Sequence, residues 1–323
     1  MKTPRLALFA LIVMVAGALC SSAQVSAQAG PCAPFLGRWD LTLKGADHEY
    51  PSWIEIDWKD GNLTAVFTGR WGNARPLPRI AITGTQITFV SPKEEEASKT
   101  DMIFEGDLKD QSLSGTVNGP DGSTWRWTGV KAPVLDKEAL QWDKPIRLLS
   151  GKDLSGWHQS KAGRPDWAVK DGNLVSPGNG PELISDRKFQ DFKLHIEFNC
   201  GKDSNSGVYL RGRYEVQIET ESQSEPPSHH TGGIYGFLAP TPELPRRPDV
   251  WQSFDITLIG RKVKVIQNGQ TVIDNQEIPG LTGGALDSHE GEPGPIYLQG
   301  SEKGHVLFRN ITITPAKYPR HPN

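Results

Sequence analysis

Glu215, Gln217 and Glu219 recur at every second position of the stretch RYEVQIETE, interleaved with Tyr214, Val216 and Ile218. Extended as a β-strand, such a stretch sends its apolar side chains to one face and the acids and the amide to the other. Same-face neighbours on a strand lie roughly 7 Å apart, so the polar row spans a sugar unit or two. Tyr209 and Arg211 precede it in GVYLRG. Glu, Gln, Arg and Tyr together supply directional donors and acceptors and an aromatic surface, which is what recognition of a polyhydroxyl compound requires. The plain alternative is a face turned to water, although such a face more often carries Lys, Thr and Ser.

Two further stretches hold residues of the same kind. SHHTGGIYG (228–236) places His229 and His230 beside paired glycines and Tyr235, a composition suited to backbone that approaches something closely. GGALDSHEGEPGPIYLQG (283–300) gathers Asp287, His289, Glu290, Glu292 and Gln299 in a region shaped by Gly and Pro, and FRNITIT follows with Arg309 and Asn310. An exposed acidic loop before an edge strand is the plain reading of that region. Adjacent histidines lack the spacing of a helical or strand-borne metal pair. The chain has no G-x-S-x-G elbow and no Gly-rich phosphate loop with its lysine.

The elements that must carry these residues are strands. From about 33 to 131, runs such as FLGRWDLTL, SWIEIDW, QITFVS and STWRWTGV are rich in β-branched and aromatic residues and separated by Gly, Asp-Gly and Pro. They predict a small all-β barrel or sandwich, with Trp39, Trp53, Trp58, Trp71, Trp125 and Trp127 as packing residues. Residues 132–146 read as a linker with Pro near each end. From 147 to 316 strands dominate again, with FKLHIEF alternating cleanly, and the expectation is an antiparallel β-sandwich with one face available. Asn268-Gly269 between VKVIQ and QTVID is the strongest hairpin signal, because Asn-Gly readily takes the positive φ of a type I′ turn. KDGNL, at 59–63 and again at 170–174, reads as a tight turn between strands each time.

Lys2 and Arg5, a short apolar run and the small residues before Gln28 form a secretory signal peptide over residues 1–27, which predicts export to the periplasm or medium. No other segment is long and apolar enough to span a bilayer. A net charge of −3 provides no basic field for nucleic acid or an anionic membrane surface. The export compartment permits a disulfide between Cys32 and Cys200, and two separate thiols remain equally open.

Several segments, in consistent order from about Ile146 to Pro315, resemble the 3-keto-disaccharide (3-keto-glycoside) hydrolase family: NSGVYLRGRYEVQIE, HHTGGIYGFLAP, ITLIGRKVKVIQNGQTVIDNQEIPG, GPIYLQG and FRNI. The resemblance implies a concanavalin-like, laminin-G-like jelly roll in the second domain. It also implies action on a carbohydrate already oxidised at C3, by C2 deprotonation, elimination and hydration. Such chemistry needs a base, a stabiliser for the enolate and an acid for the leaving oxygen. On the matching positions the base is Glu215 or His230, and Arg211 is the enolate stabiliser. Tyr209, Gln217, Tyr235 and Gln299 bind the sugar, and Arg309 shapes the sheet face. A divalent metal ion, held by Glu215, Glu219 and His230, could share the enolate charge. A non-catalytic carbohydrate-binding jelly roll is the alternative. Two departures stand out: Ser301-Glu302-Lys303 where the family often carries Asp-His, and Asp249-Val250-Trp251 where Gly-Glu-Trp is usual.

Overall fold

The computed structural model describes residues 30–70, 72–135, 141–161, 167–220, 225–301 and 304–318. The segment 1–27 read as a signal peptide, Trp71 and the Glu302-Lys303 pair lie outside the described residues.

The first nine strands form one antiparallel sheet. They are β1 (Gly37–Lys44), β2 (Glu49–Lys59), β3 (Asn62–Thr68), β4 (Arg75–Pro76) and β5 (Arg79–Thr83). β6 (Gln86–Ser91), β7 (Met102–Lys109), β8 (Ser112–Asn118) and β9 (Thr124–Lys131) complete it. Their spatial order is β4-β3-β2-β1-β9-β8-β7-β6-β5, a meander that curls round its own core. Period-2 alternation fills that core: Trp39, Leu41 and Leu43 from β1, Ile54 and Ile56 from β2, then Phe67, Phe89, Phe104 and Trp127. Phe89 and Phe104 stack at 4.4 Å between centroids.

Fourteen shorter and longer strands follow. The first seven are β10 (Gln141–Trp142), β11 (Ile146–Arg147), β12 (Trp157–Gln159), β13 (Ala168–Lys170), β14 (Asn173–Ser176), β15 (Leu183–Phe189) and β16 (Phe192–Cys200). The rest are β17 (Asn205–Leu210), β18 (Tyr214–Glu219), β19 (Gln252–Ile259), β20 (Lys262–Gln267), β21 (Gln270–Glu277), β22 (Gly294–Leu298) and β23 (Val306–Lys317). They make a β-sandwich. The larger sheet runs β13-β14-β23-β16-β19-β20-β21, with β10 and β11 also paired to β23, and the smaller runs β12-β15-β22-β17-β18. Phe192, Leu194, Ile196 and Phe198 from one sheet meet Val208, Val216, Ile218 and Ile296 from the other in a single core. Each such side chain contributes about 1.5–3 kcal/mol by leaving water.

The turn chemistry follows the sequence expectation. Asn268 and Gly269 both take positive φ (51° and 80°), as do Asp60-Gly61 and Asp171-Gly172 in the two KDGNL stretches. Cys32 keeps a free thiol, and Cys200 is buried in the sandwich core with its thiol donating to the Ser204 carbonyl.

Trp53 joins the two sheet systems. It points outward from β2 because Ile54 and Ile56 take the inward positions, yet it is fully buried as a member of the sandwich core. Its ring meets Phe237 edge-on at 5.4 Å, and Gly280 lies flat against the indole. We expect Trp53→Ala to lower stability by about 3–5 kcal/mol, as loss of a buried aromatic does elsewhere, read as an earlier urea midpoint.

Candidate functional site

β18 is the edge strand of the smaller sheet, and its six residues are all buried. Tyr214, Val216 and Ile218 enter the sandwich core, as alternation requires. Glu215, Gln217 and Glu219 face the other way, and only 3%, 2% and 6% of their surface is exposed. A face meant for water would be wet, and this one is covered.

The cover is the loop that holds SHHTGGIYG. Its backbone runs along the open edge of β18: Gly232 N–H donates to the Gln217 carbonyl (2.9 Å), and Gln217 N–H to the Gly233 carbonyl (3.0 Å). Tyr235 N–H donates to the Glu215 carbonyl at 3.1 Å, and Ile234 bridges Val216. A Cβ on Gly233 would sit about 3 Å from three carbonyl oxygens (Ser228, His230 and Leu238), so only glycine fits there. The close approach anticipated for these glycines is therefore to the edge of the sheet.

A cleft of about 450 Å³ opens over this face. Its floor is the lateral row of β22, β17 and β18, where Tyr297 pairs with Tyr209 and Tyr209 with Glu215. The Tyr209 and Tyr297 rings stack at 4.2 Å, and the Tyr209 hydroxyl lies 2.8 Å from both the Glu215 carboxylate and the Gly283 carbonyl, to either of which it can donate. Gln217, Gln299 and Asn205 continue the floor, while Tyr235, Gly72, Gly283 and Gly284 form one end. Lys161, Asn179, Glu182 and Ser301 form the other. Burial above all, then the Glu215 carboxylate and Tyr297, holds the Tyr209 phenol well above its ordinary pKa. Burial, then Glu182 and Glu215, does the same to Tyr297. Both hydroxyls therefore remain protonated, and that of Tyr209 faces the Glu215 carboxylate.

Gly207 makes room for that carboxylate. It sits on β17 opposite Gln217, two residues before Tyr209 on the same face, and a Cβ there would lie 2.1 Å from Glu215 Oε1.

Five of the residues singled out in the sequence, Tyr209, Glu215, Gln217, Tyr235 and Gln299, line the cleft together. Four others lie elsewhere. Arg211 shares the parity of Tyr209, but β17 ends at Leu210, and Arg211-Gly212 take φ of 55° and 70° in a tight reversal closed by Arg213 N–H to the Leu210 carbonyl. That turn sends the guanidinium into the protein, 2.8 Å from the Gly260 carbonyl and 3.1 Å from the Tyr214 hydroxyl, with the Asp191 carboxylate 4.0 Å away. It does not reach the cleft as an enolate stabiliser would.

His230 lies beyond the cleft, its Nδ1 2.9 Å from Glu243 and its Nε2 3.2 Å from the Glu225 carbonyl. Glu219 is clasped by Arg246 Nε at 2.9 and 3.2 Å. Burial raises its carboxyl pKa, against the pull of Arg246. Glu215 and Glu219, four residues apart on one strand, are roughly 13 Å apart. With His230 turned to Glu243, the three form no ion-binding group, nor does any other His, Cys, Asp or Glu cluster among the described residues. Arg309 is on β23 of the larger sheet, paired with Glu197 (2.6 Å) and lying over Trp251. It shapes the opposite side of the molecule. His229, the neighbour of His230, stacks on Tyr235 at 4.1 Å, and burial lowers its pKa.

Sequence reasoning passed over Tyr297 and Asn205, although period 2 from Gln299 and from Tyr209 leads to each. Lys161, Asn179, Glu182 and Gly72 come from loops, where no periodicity could mark them.

The second unit is a two-sheet jelly roll with a polar cleft on its smaller sheet. The chain belongs to the 3-keto-alpha-glucoside-1,2-lyase-like domain family, whose model matches residues 144–314. A "3-keto-disaccharide hydrolase" of Bacteroides thetaiotaomicron is 29% identical over 93 residues, covering 25% of this chain and 32% of that protein. The chain thus spans about a third of the length of that curated relative. A solved structure from Parabacteroides distasonis, described as a "putative glycosyl hydrolase", is 32% identical, with 52% of this chain and 82% of that one covered and a TM-score of 0.45. A second from the same organism is 18% identical, covering 54% and 94%, with a TM-score of 0.43.

We expect Gly207→Ala to displace the Glu215 carboxylate while leaving the fold intact. An unchanged circular-dichroism spectrum with lost binding of a sugar ligand is the expected pair of results.

Proposed function

We propose that the protein is an exported enzyme that cleaves the glycosidic bond of 3-keto-glycosides, with Glu215 as the base. The observation that carries this reading is the Glu215 carboxylate on the floor of the covered cleft, within hydrogen-bond reach of the Tyr209 hydroxyl and surrounded by amides and phenols. Membership of the lyase-like family supports the reaction class, and the name of the Bacteroides relative supports the substrate.

The chemistry follows from the ketone. A carbonyl at C3 acidifies the C2 hydrogen, and Glu215 takes that proton. The electron pair moves into an enolate, whose C3 oxygen gains negative charge and needs donors that are in place beforehand. Tyr235, Tyr297 and the Gln217 and Gln299 amides are among the donors lining the cleft, and Lys161 adds a cation. The enolate then expels the C1 substituent: the C1–O bond breaks, a C1–C2 double bond forms, and the departing oxygen takes up the proton that Glu215 removed from C2. Water adds across the double bond, its oxygen to C1 and a proton to C2. The sum is hydrolysis of the glycosidic bond with no change of oxidation state. This path needs one base with neutral donors around it, and the paired carboxylates of an ordinary glycosidase have no part in it. That Arg211 and His230 turn away from the cleft supports Glu215 over His230 as the base and the cleft's own donors over Arg211 as the oxyanion stabiliser.

Incubation with a 3-keto-disaccharide and with its unoxidised parent, each with and without a chelator, tests the reading. Monosaccharide should appear from the keto compound alone. Glu215→Gln should lower kcat by about 100-fold or more, within the usual range for removal of a general base, with KM little changed. His230→Ala should keep most of its turnover. Tight binding of the keto-sugar without any product would make the protein a binding module instead.

A further inference from the structure

Two loops at one end of the cleft are buttressed by the N-terminal sheet, which lies outside the family match at 144–314. On one side, Thr282 Oγ1 accepts the Glu215 N–H (3.0 Å), and Gly283 and Gly284 then line the cleft. Past them, Gly284 N–H donates to the Arg70 carbonyl at 3.1 Å, the Ser288 hydroxyl bonds that of Thr42, and Glu290 comes to rest against Asp40. On the other side, Gly236 packs onto Asn73, where a Cβ would lie 2.6 Å from the Asn73 Cα, and Phe237 meets Trp53. Gly72 itself lines the cleft.

Asp40 and Thr42 are the outward residues of β1, whose inward Trp39, Leu41 and Leu43 fill the barrel core. An outward aspartate on a barrel is ordinarily wet, yet Asp40 is only 2% exposed. It faces Glu290, which is itself gripped by Arg261 and by the Tyr214 hydroxyl at 2.5 Å. Two carboxyl groups closed off from water together cannot both be charged without a large cost. Here burial, and then the Glu290 charge, push Asp40 up to about 9, against the pull of Arg261 and Arg213. Burial also works to raise Glu290, but Arg261 outweighs it and holds that carboxyl below its ordinary value. A proton shared between the two replaces like-charge repulsion with a hydrogen bond across the junction, and the raised Asp40 pKa favours that sharing.

We propose that the N-terminal sheet is a working part of the site, and that Asp40 is a positioning residue which fixes the 282–290 loop and, through Thr282, the backbone of Glu215. The inference rests on the reading of this cleft as the place where the sugar reacts. Asp40 touches no substrate. It acts by keeping Glu290 docked, so that Gly283 and Gly284 stay at the edge of the cleft and the Gly284 amide stays on the Arg70 carbonyl.

The contact also responds to pH. Because the Asp40 pKa is raised in the folded protein, its contribution to stability is complete below its ordinary value near 4 and declines as the pH climbs to about 9. Asp40→Asn does not titrate, so its melting temperature should fall less than that of the native protein between pH 6 and pH 9.

Full-chain Asp40→Asn, Asp40→Ala and Thr42→Val, compared by hydrogen exchange and by turnover, test the inference. Exchange reads the loop without reference to chemistry. Asp40→Ala and Thr42→Val should speed exchange at the Gly284 amide by about tenfold, the mark of a wall that opens locally. Asp40→Ala should also lower kcat/KM by about tenfold, as misplaced groups do, while Asp40→Asn, which still donates to Glu290, restores native behaviour in both. Native-like exchange in Asp40→Ala and Thr42→Val, or Asp40→Asn as damaged as Asp40→Ala, overturns the inference. If native protein fails to cleave keto-sugars while the exchange pattern holds, the proposed reaction falls and the role of Asp40 in holding the loop stands.

Discussion

Polar groups shut away from water must find partners inside the protein, and a strand that turns three of them to a covered face makes that demand in a small space. On β18 each is answered differently: Glu215 by the Tyr209 hydroxyl, Gln217 by the amide of Ile218, Glu219 by Arg246. The loop along the edge of β18 and the 280–290 loop take up backbone hydrogen bonds of the same strand. What distinguishes Glu215 from Glu219 is the partner. The Arg246 guanidinium pairs with Glu219, whereas the Tyr209 hydroxyl lies against Glu215.

The same demand organises the junction between the two sheet systems. Asp40, Glu290, Arg261, Arg213, Tyr214 and Arg211 form one buried polar layer, beside the apolar contact of Trp53 with Phe237. The apolar contact adds adhesion without direction. The ionic layer adds direction, since a charge buried one residue out of register would be left unpaired. Together they set the N-terminal sheet at a defined place beside the cleft.

Much of this was legible in the chain. Alternation in RYEVQIETE put Glu215, Gln217 and Glu219 on one face, and the Asn268-Gly269 and KDGNL hairpins are where local turn chemistry requires them. Arg211 shows where such reasoning stops. Its parity matched that of Tyr209, but the positive φ of the Arg211-Gly212 turn reversed the chain and carried the side chain away from the cleft. His230 sits in the right loop, and the backbone pairing of Gly232 and Gly233 with Gln217 leaves Tyr235 over the cleft and His230 beyond it.

By itself the sequence determined whatever depends on neighbours along the chain: strand rather than helix, which side chains share a face, where hairpins reverse, and that two β units follow one another. Those are short-range consequences of backbone sterics and of period-2 patterning. Only the tertiary structure decided whether the polar face of β18 met water or protein, because burial is set by segments far away in sequence. The same holds for Lys161, Asn179 and Glu182 at one end of the cleft, for Gly72 at the other, and for Asp40 beneath its wall. Their roles come from packing across the fold, and packing across the fold leaves no periodic trace in the chain.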